Sequence, residues 1–273
     1  VRSSTSPAPF PETADIETAS DDYARRFAGE VGAFFLEMQS RATLELLSPW
    51  PGARVLELGG GHAQLAGSLV ENGCELTVVG SDPVCRSRLD RILSEARFRF
   101  QVCNLLELPY PDRSFDAVLA FRLLPHVTRW QDLIGEMCRV AREAVVVDYP
   151  DLRSFNAIQR FLFSWKKALE KNTRPFTCFT RRQVEREFRR HGFGRPARRP
   201  QFFFPMVIHR VLNRAVFSRG IEAASRGLRL THLFGSPVIL RMVREDKRPT
   251  GPGEPVKRAE PSEGSEGSGE GRG

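Results

Sequence analysis

Val55-Leu56-Glu57-Leu58-Gly59-Gly60-Gly61-His62-Ala63 opens as an apolar run and breaks on three glycines. Arg54 to Leu58 reads as a short buried strand, and Gln64 with Leu65, Ala66, Leu69 and Val70 as the start of a helix. Strand, glycine turn and helix together open a nucleotide-binding α/β unit. So tight a turn needs φ values open to glycine, and backbone without a Cβ lets a ligand come close. The dinucleotide fingerprint G-x-G-x-x-G fails, because Gln64 stands where its third glycine would be. What remains is acidic-x-Gly-x-Gly, with Glu57 at the strand end.

Working outward, strand-like and helix-like runs alternate. Val1 to Asp21 is rich in Ser, Thr, Pro and Ala and reads as a flexible lead-in. Asp22 to Leu47 carries Tyr23, Phe27, Val31, Phe34, Phe35 and Met38 at helical spacing, closed by Pro49, Pro51 and Gly52. Glu75 to Val79, Phe98 to Val102, Phe115 to Phe121 and Ala144 to Asp148 read as strands, with helices over Ser81 to Leu93 and Trp130 to Arg142. That order implies an α/β domain, Rossmann-like, with a mostly parallel sheet and helices on both faces. Phe155 to Leu169 then reads as an aromatic helix, Thr180 to His191 as a basic one, and Gln201 to Phe204 and Pro237 to Val243 as strands. From Glu245 onward the chain is Gly, Ser, Glu and Pro without apolar pattern, and residues 245–273 are expected to be a disordered tail.

Glu57 to Gly61 resembles motif I of the class I S-adenosylmethionine (SAM) methyltransferases. Leu108-Pro109-Tyr110-Pro111-Asp112-Arg113-Ser114-Phe115-Asp116-Ala117-Val118-Leu119 is similar to the L-P-F-P-D-x-S-F-D-x-V segment of their type 11 subgroup. That subgroup includes ubiquinone- and menaquinone-pathway methyltransferases. Leu123-Leu124-Pro125-His126-Val127 and Glu136-Met137-Cys138-Arg139-Val140 follow in the expected order, so the resemblance spans Tyr23 to Asp148. It implies a seven-stranded sheet whose last two strands form an antiparallel hairpin. Pro205 to Gly235 would be an insertion in that hairpin, helical in its first half. The methyltransferase domain would cover residues 22–244, with substrate-side insertions at 152–179 and 205–235. SAM would be the cofactor, S-adenosylhomocysteine the product, and no metal is implied.

The resemblance also implies a site. Glu57, Gly59, Gly60 and Gly61, with His62 beside them, would hold the methionine part of SAM. The family's ribose-binding acid would fall at Gly80, leaving Asp82 two residues on; Asp82 before Pro83 also fits a helix N-cap. Asn104 and Leu105 stand where the family often has Asp-Ala. The Asn104 carboxamide can donate to and accept from an adenine edge, or form a turn. Phe121, Arg122 and His126 follow the fourth strand, facing the reacting methyl. An imidazole has the pKa to take a proton from the acceptor, while His126 can equally cap or pack at a helix start. Tyr23 would close over the cofactor or pack in a helix. Asp148, Tyr149 and Asp151 end the fifth strand and line the substrate side. The Asn/Asp-Pro-Pro-aromatic box of many amino-group methyltransferases is absent, which favours O- or C-methylation.

A chain of 273 residues holds one domain of about 200–250 residues with a sizeable core. Five cysteines without a C-x-x-C pair point to buried thiols in a reducing compartment rather than disulfides or zinc. No apolar run approaches the ~20 residues that span a bilayer, and Val1 to Asp21 lacks the charged-then-apolar secretory pattern. The expected location is therefore cytoplasmic, with peripheral membrane attachment as a further reading. The formal charge of +8 hides an asymmetry: Leu152 to Arg244 contains 21 Lys/Arg and 4 Asp/Glu. That half suits an anionic partner. Val207, Ile208, Val211, Leu212, Ala215 and Val216 form an apolar stripe after Phe202-Phe203-Phe204, as in a helix lying on anionic lipid or a lid packed on the domain. The expected activity is methyl transfer to a small or lipid-like acceptor. An RNA methyltransferase and a non-catalytic SAM-binding protein are the alternatives.

Overall fold

The computed structural model describes residues 10–94, 97–154, 176–212 and 214–245. Five strands are parallel: β1 (Arg54–Leu58), β2 (Glu75–Gly80), β3 (Phe98–Val102), β4 (Phe115–Ala120) and β5 (Ala141–Tyr149). β6 (Phe193–Phe202) and β7 (Ser236–Arg244) complete one seven-stranded sheet in the order β3-β2-β1-β4-β5-β7-β6, with β7 antiparallel to both neighbours. This is the expected seven-stranded, Rossmann-like sheet with an antiparallel terminal hairpin. The chain leaves β1 toward one edge and β4 toward the other, so the strand order reverses between them. In such sheets ligands bind beyond the carboxyl ends of the strands at that reversal.

Alternating side chains build a core on each face. Leu56, Leu58, Val118, Ala120, Val145 and Val147 pack on one side with α6 (Trp130–Val140) and α7 (Arg181–Arg190). Val55, Ala117, Leu119 and Val146 pack on the other with α3 (Gly29–Leu47) and α4 (Ala66–Glu71). Burial of both faces is why the parallel strands read as near-continuous apolar runs. The remaining helices are α1 (Ala14–Thr18), α2 (Asp21–Arg25), α5 (Ser87–Ile92), α8 (Met206–Leu212), α9 (Ala215–Gly227) and α10 (Leu230–Phe234).

Several boundaries differ from the sequence reading. The lead-in is helical and packed from Ala14, with Asp15 wholly buried, so its flexible reading does not hold for residues 10–21. The expected helix from Asp22 is two helices. Gly29 turns the chain at φ +73, and a Cβ on Gly32 would collide with the Phe27 carbonyl. Ser81 to Leu93 begins as a 3-10 turn over Pro83–Arg86 before α5. The strand expected at Gln201 to Phe204 starts at Phe193 and ends at Phe202. Its two prolines and three arginines disguise it, and they are tolerated because β6 lies at the sheet edge. The hairpin insertion is helical to Phe234, beyond its first half. The aromatic helix of Phe155 to Leu169, the Val207 and Leu212 side chains and the tail after Glu245 lie outside the described residues.

Candidate cofactor and acceptor site

β1 delivers Glu57 to the reversal point and the chain turns at once. Gly59 adopts φ +65, Gly60–His62 forms a 3-10 turn, and Ala63 returns the chain at φ +54. The Gly59 amide donates to the Val79 carbonyl at 2.8 Å, tying the turn to β2. Both Glu57 oxygens are buried without a hydrogen-bond partner. Burial raises this carboxyl to about 8, so it is protonated at neutral pH. A Cβ at Gly60 would lie 2.7 Å from that carboxyl group, so glycine lets the acid rise to the turn.

His62 is buried beside it. Its Nδ1 accepts the Gln64 amide at 3.1 Å and its Nε2 lies 3.2 Å from the Phe121 carbonyl. Those contacts assign the neutral tautomer carrying its proton on Nε2, and burial lowers its pKa to about 4. Glu57 and His62 approach to 3.9 Å. With both neutral they are not an ion pair. His62 spends both ring nitrogens within the fold and stiffens the turn instead of presenting a nitrogen to a ligand.

The ends of β2 and β3 complete the cradle. Asp82 caps the following turn, accepting the Val84 amide at 2.8 Å, as its N-cap reading expected. Asn104 accepts the Leu106 amide at 3.1 Å, a local turn bond, while Leu105 is fully buried. At the end of β2, where Gly80 leaves no side chain, a carboxylate arrives from elsewhere. Asp15 of α1 accepts the Ser81 amide at 2.6 Å and the Ser81 hydroxyl at 2.5 Å, and the Cys85 thiol lies 3.3 Å from it. Its Cβ would lie 3.2 Å from a Cβ at Gly59, so α1 rests directly on the glycine turn. Ala14 joins the apolar cluster of Leu58, Val79, Cys103 and Leu105.

A second group of side chains gathers beyond β4 and β5. Phe121 is buried in the core on the α3 and α4 side. Arg122 follows at φ +56, a left-handed conformation uncommon outside glycine. Asp148 holds it there, accepting its amide at 2.6 Å and its guanidinium at 3.2 Å, and Gln39 accepts a second guanidinium nitrogen at 2.8 Å. Burial raises the Asp148 carboxyl, while Arg122 pulls the other way. The Arg122 guanidinium lies 5.6 Å over the Phe27 ring, Phe27 packs 5.7 Å from Tyr23, and Arg26 lies 5.1 Å over Tyr23. His126 ends a 3-10 turn, its ring 5.4 Å from Phe176 and in electrostatic range of Asp148. Tyr149 points its ring at Phe179 in the core, and Asp151 accepts the Arg153 amide.

Asp15 and Gln39 had no local signal in the sequence. Asp15 sits in a segment whose composition reads as linker, and Gln39 is one polar residue on an apolar helix. Chemically, the residues present fit SAM. An unpartnered carboxyl lies beneath the turn, and Gly60 and Gly61 add no side chains of their own to it.

Comparison with known proteins agrees with this fold. The model of a methyltransferase domain family matches residues 56–147. The demethylmenaquinone methyltransferase of Beutenbergia cavernae is 30% identical over 175 residues, covering 59% of this chain and 72% of that protein. The ubiquinone/menaquinone biosynthesis C-methyltransferase UbiE of Xanthomonas campestris is 37% identical over 112 residues, 37% of this chain and 44% of that protein, so less than half of its length is spanned. Among solved structures, magnesium protoporphyrin IX methyltransferase (ChlM) from Synechocystis with bound S-adenosylhomocysteine superposes with a TM-score of 0.58. That match has 12% identity and covers 82% of this chain and 93% of that one. At that identity the likeness is one of fold.

Proposed function

The chain belongs to the class I, type 11 family of SAM-dependent methyltransferases, and from that membership we propose that it methylates a ring carbon or ring oxygen of a small quinol- or phenol-like acceptor at the carboxyl ends of β4 and β5. The observation that carries the cofactor assignment is the buried, unpartnered Glu57 carboxyl under the Gly59–Gly61 turn. Glu57 and the turn amides would hold the methionine end, with Asp82 and Asn104 toward the nucleoside. The relatives that act on quinones support a ring acceptor. When bound, SAM supplies a methyl group on a positively charged sulfur.

The chain's own residues then have two tasks. Arg122, fixed by Asp148 and Gln39, forms a rigid wall beside the Phe27 and Tyr23 rings, against which a flat acceptor packs. His126 takes the proton that the acceptor loses, with Asp148 in electrostatic range of its ring. The test is a reaction of the purified protein with SAM and demethylmenaquinone, read by mass spectrometry. The expected product is heavier by one methylene. Binding of S-adenosylhomocysteine without any methylated product would remove the quinone acceptor from the reading and leave the cofactor assignment standing.

The same reading places the protein at a lipid surface when it works. Ile208, Val211, Val216 and Phe217 on α8 and α9 are exposed, in the half richest in arginine. An RNA acceptor would use the same charge, but exposed aliphatic residues favour lipid. No helix among the described residues is long and apolar enough to cross a membrane.

A further inference from the structure

The cradle is already filled by the chain itself. Gly59, Gly60, Gly61, His62 and Ser81 are all buried, although a turn that receives a ligand has to be reachable. Besides Leu123 and Cys85, the segment from Glu12 to Asp21 covers Gly59, Gly61 and Ser81. In its middle the Asp15 carboxylate takes both donors of Ser81 at the end of β2, and the thiol of Cys85. The Ala19 methyl lies 3.0 Å from where a Gly61 Cβ would stand. The segment is fastened at both ends. Glu12 accepts the Thr128 and Arg129 amides at 2.9 and 3.0 Å, and Asp21 accepts Arg88 and Arg91 at 2.9 and 3.0 Å.

We propose that residues 12–21 form a displaceable strap that competes with SAM for the cradle, with Asp15 as the contact that sets the competition. The inference rests on reading the cradle as the SAM site. Three observations point to a strap rather than a permanent part of the core. The apolar side chains it seats against the turn are Ala14 and Ala19, which give little hydrophobic energy when compared with a leucine. Its helix is five residues long, too short to be stable without its contacts. Its polar contact with the cradle is concentrated in one carboxylate, Asp15, which takes the Ser81 donors at the end of β2. The Asp21 end is solvent-exposed and weak, and the chain has a turning point at Gly29, φ +73. A ligand that takes over the Ser81 donors and the Gly59 surface therefore gains the contacts that Asp15 loses.

The experiment titrates S-adenosylhomocysteine into the full chain by calorimetry, for wild type, Asp15→Asn and Asp15→Ala, with backbone hydrogen exchange on each. Hydrogen bonds to a charged group are individually strong, so Asp15→Ala is expected to bind about 10- to 100-fold more tightly than wild type, and Asp15→Asn to fall between. Exchange at residues 14–19 should rise when wild type binds S-adenosylhomocysteine, and should already be fast in free Asp15→Ala while the β1 and β4 amides stay protected. Weaker binding by Asp15→Ala overturns the proposal and makes Asp15 a cofactor ligand. Equal binding by all three, or slower exchange at 14–19 on binding, also overturns it while leaving the SAM site standing. Absence of binding by any of the three, with the sheet amides protected, overturns the SAM reading and the strap together.

Discussion

Glu57 is a titratable group in a place that cannot solvate it. Its carboxyl is raised by burial from 4.5 to about 8, so the folded protein keeps a proton that the unfolded chain releases. Between those values the folded state binds more protons, and stability falls as pH rises; the loss is complete above about pH 8. His62 works in the opposite sense. Lowered from 6.5 to about 4, it contributes stability that is lost as pH falls through that window. Glu57→Gln removes the first dependence and keeps the second. Its stability relative to wild type should climb between pH 5 and 8, by on the order of 3 kcal/mol, in denaturant melts across that range. A constant difference would mean that Glu57 ionises normally in the fold. His126→Gln is expected to lower kcat about 10²- to 10⁴-fold on the true acceptor while S-adenosylhomocysteine affinity stays nearly constant. Unchanged turnover would return His126 to the turn it closes. Gly59→Val is a poorer probe of binding, because Gly59 needs φ +65 and a Cβ there meets Asp15 and Leu123 at 3.2 Å.

At the scale of elements, one carboxylate organises the hairpin insertion. Glu222 on α9 is almost wholly buried. It accepts the Phe203 and Phe204 amides at 3.1 Å each, and it faces the His209 Nε2 at 3.1 Å and the Thr231 hydroxyl at 3.5 Å. It therefore joins the end of β6 to α8, α9 and α10. The His209 ring in turn packs edge-on against Phe35 at 5.6 Å, which seats the insertion on α3. Replacing Glu222 by Ala leaves two half-buried amides and a buried imidazole without that partner, and is expected to cost about 3 kcal/mol. Hydrogen exchange should show the loss concentrated in α8 to α10, with β1 and β4 protected. A uniform loss over the whole sheet would show that the insertion folds as one unit with the core.

Across the whole molecule the charge asymmetry partly closes on itself. Arg199 pairs with Glu45 at 3.2 Å and Arg219 with Glu37 at 2.6 Å, joining the basic second half to α3, while Glu185 takes both Arg181 and Arg189. These pairs are mostly exposed and each contributes little stability. What remains is a basic surface carrying exposed Val211 (80% exposed), Val216 (78%) and Phe217 (57%). Each basic residue near an anionic membrane adds ~1 kcal/mol, an attraction that fades beyond a Debye length of about 8 Å at physiological salt. Flotation with anionic vesicles should therefore recover wild type at low salt and lose it at high salt. A Val211→Asp/Phe217→Asp variant should lose binding without losing thermal stability, since neither side chain is in the core. Binding to neutral vesicles as strong as to anionic ones would remove the electrostatic part of this reading.

The parallel strands and the glycine turn were legible in the sequence because each is written locally. Val55, Leu56, Leu58 and Val118 to Ala120 are apolar because both sheet faces are covered, and Gly59 stands where the turn after β1 goes left-handed. The local code ran out where polar burial depends on partners far along the chain. Asp15 meets Ser81 across 66 residues, Gln39 meets Arg122 across 83, and Arg122 meets Asp148 across 26. None of these residues differs in type or spacing from one on a solvated surface. A carboxylate in a Ser- and Pro-rich segment reads as linker until the closed fold sets two donors before it. A polar contact is decided by where two backbones meet, and that is set by the packing of the sheet and its helices. The periodicity of either segment alone carries no record of it.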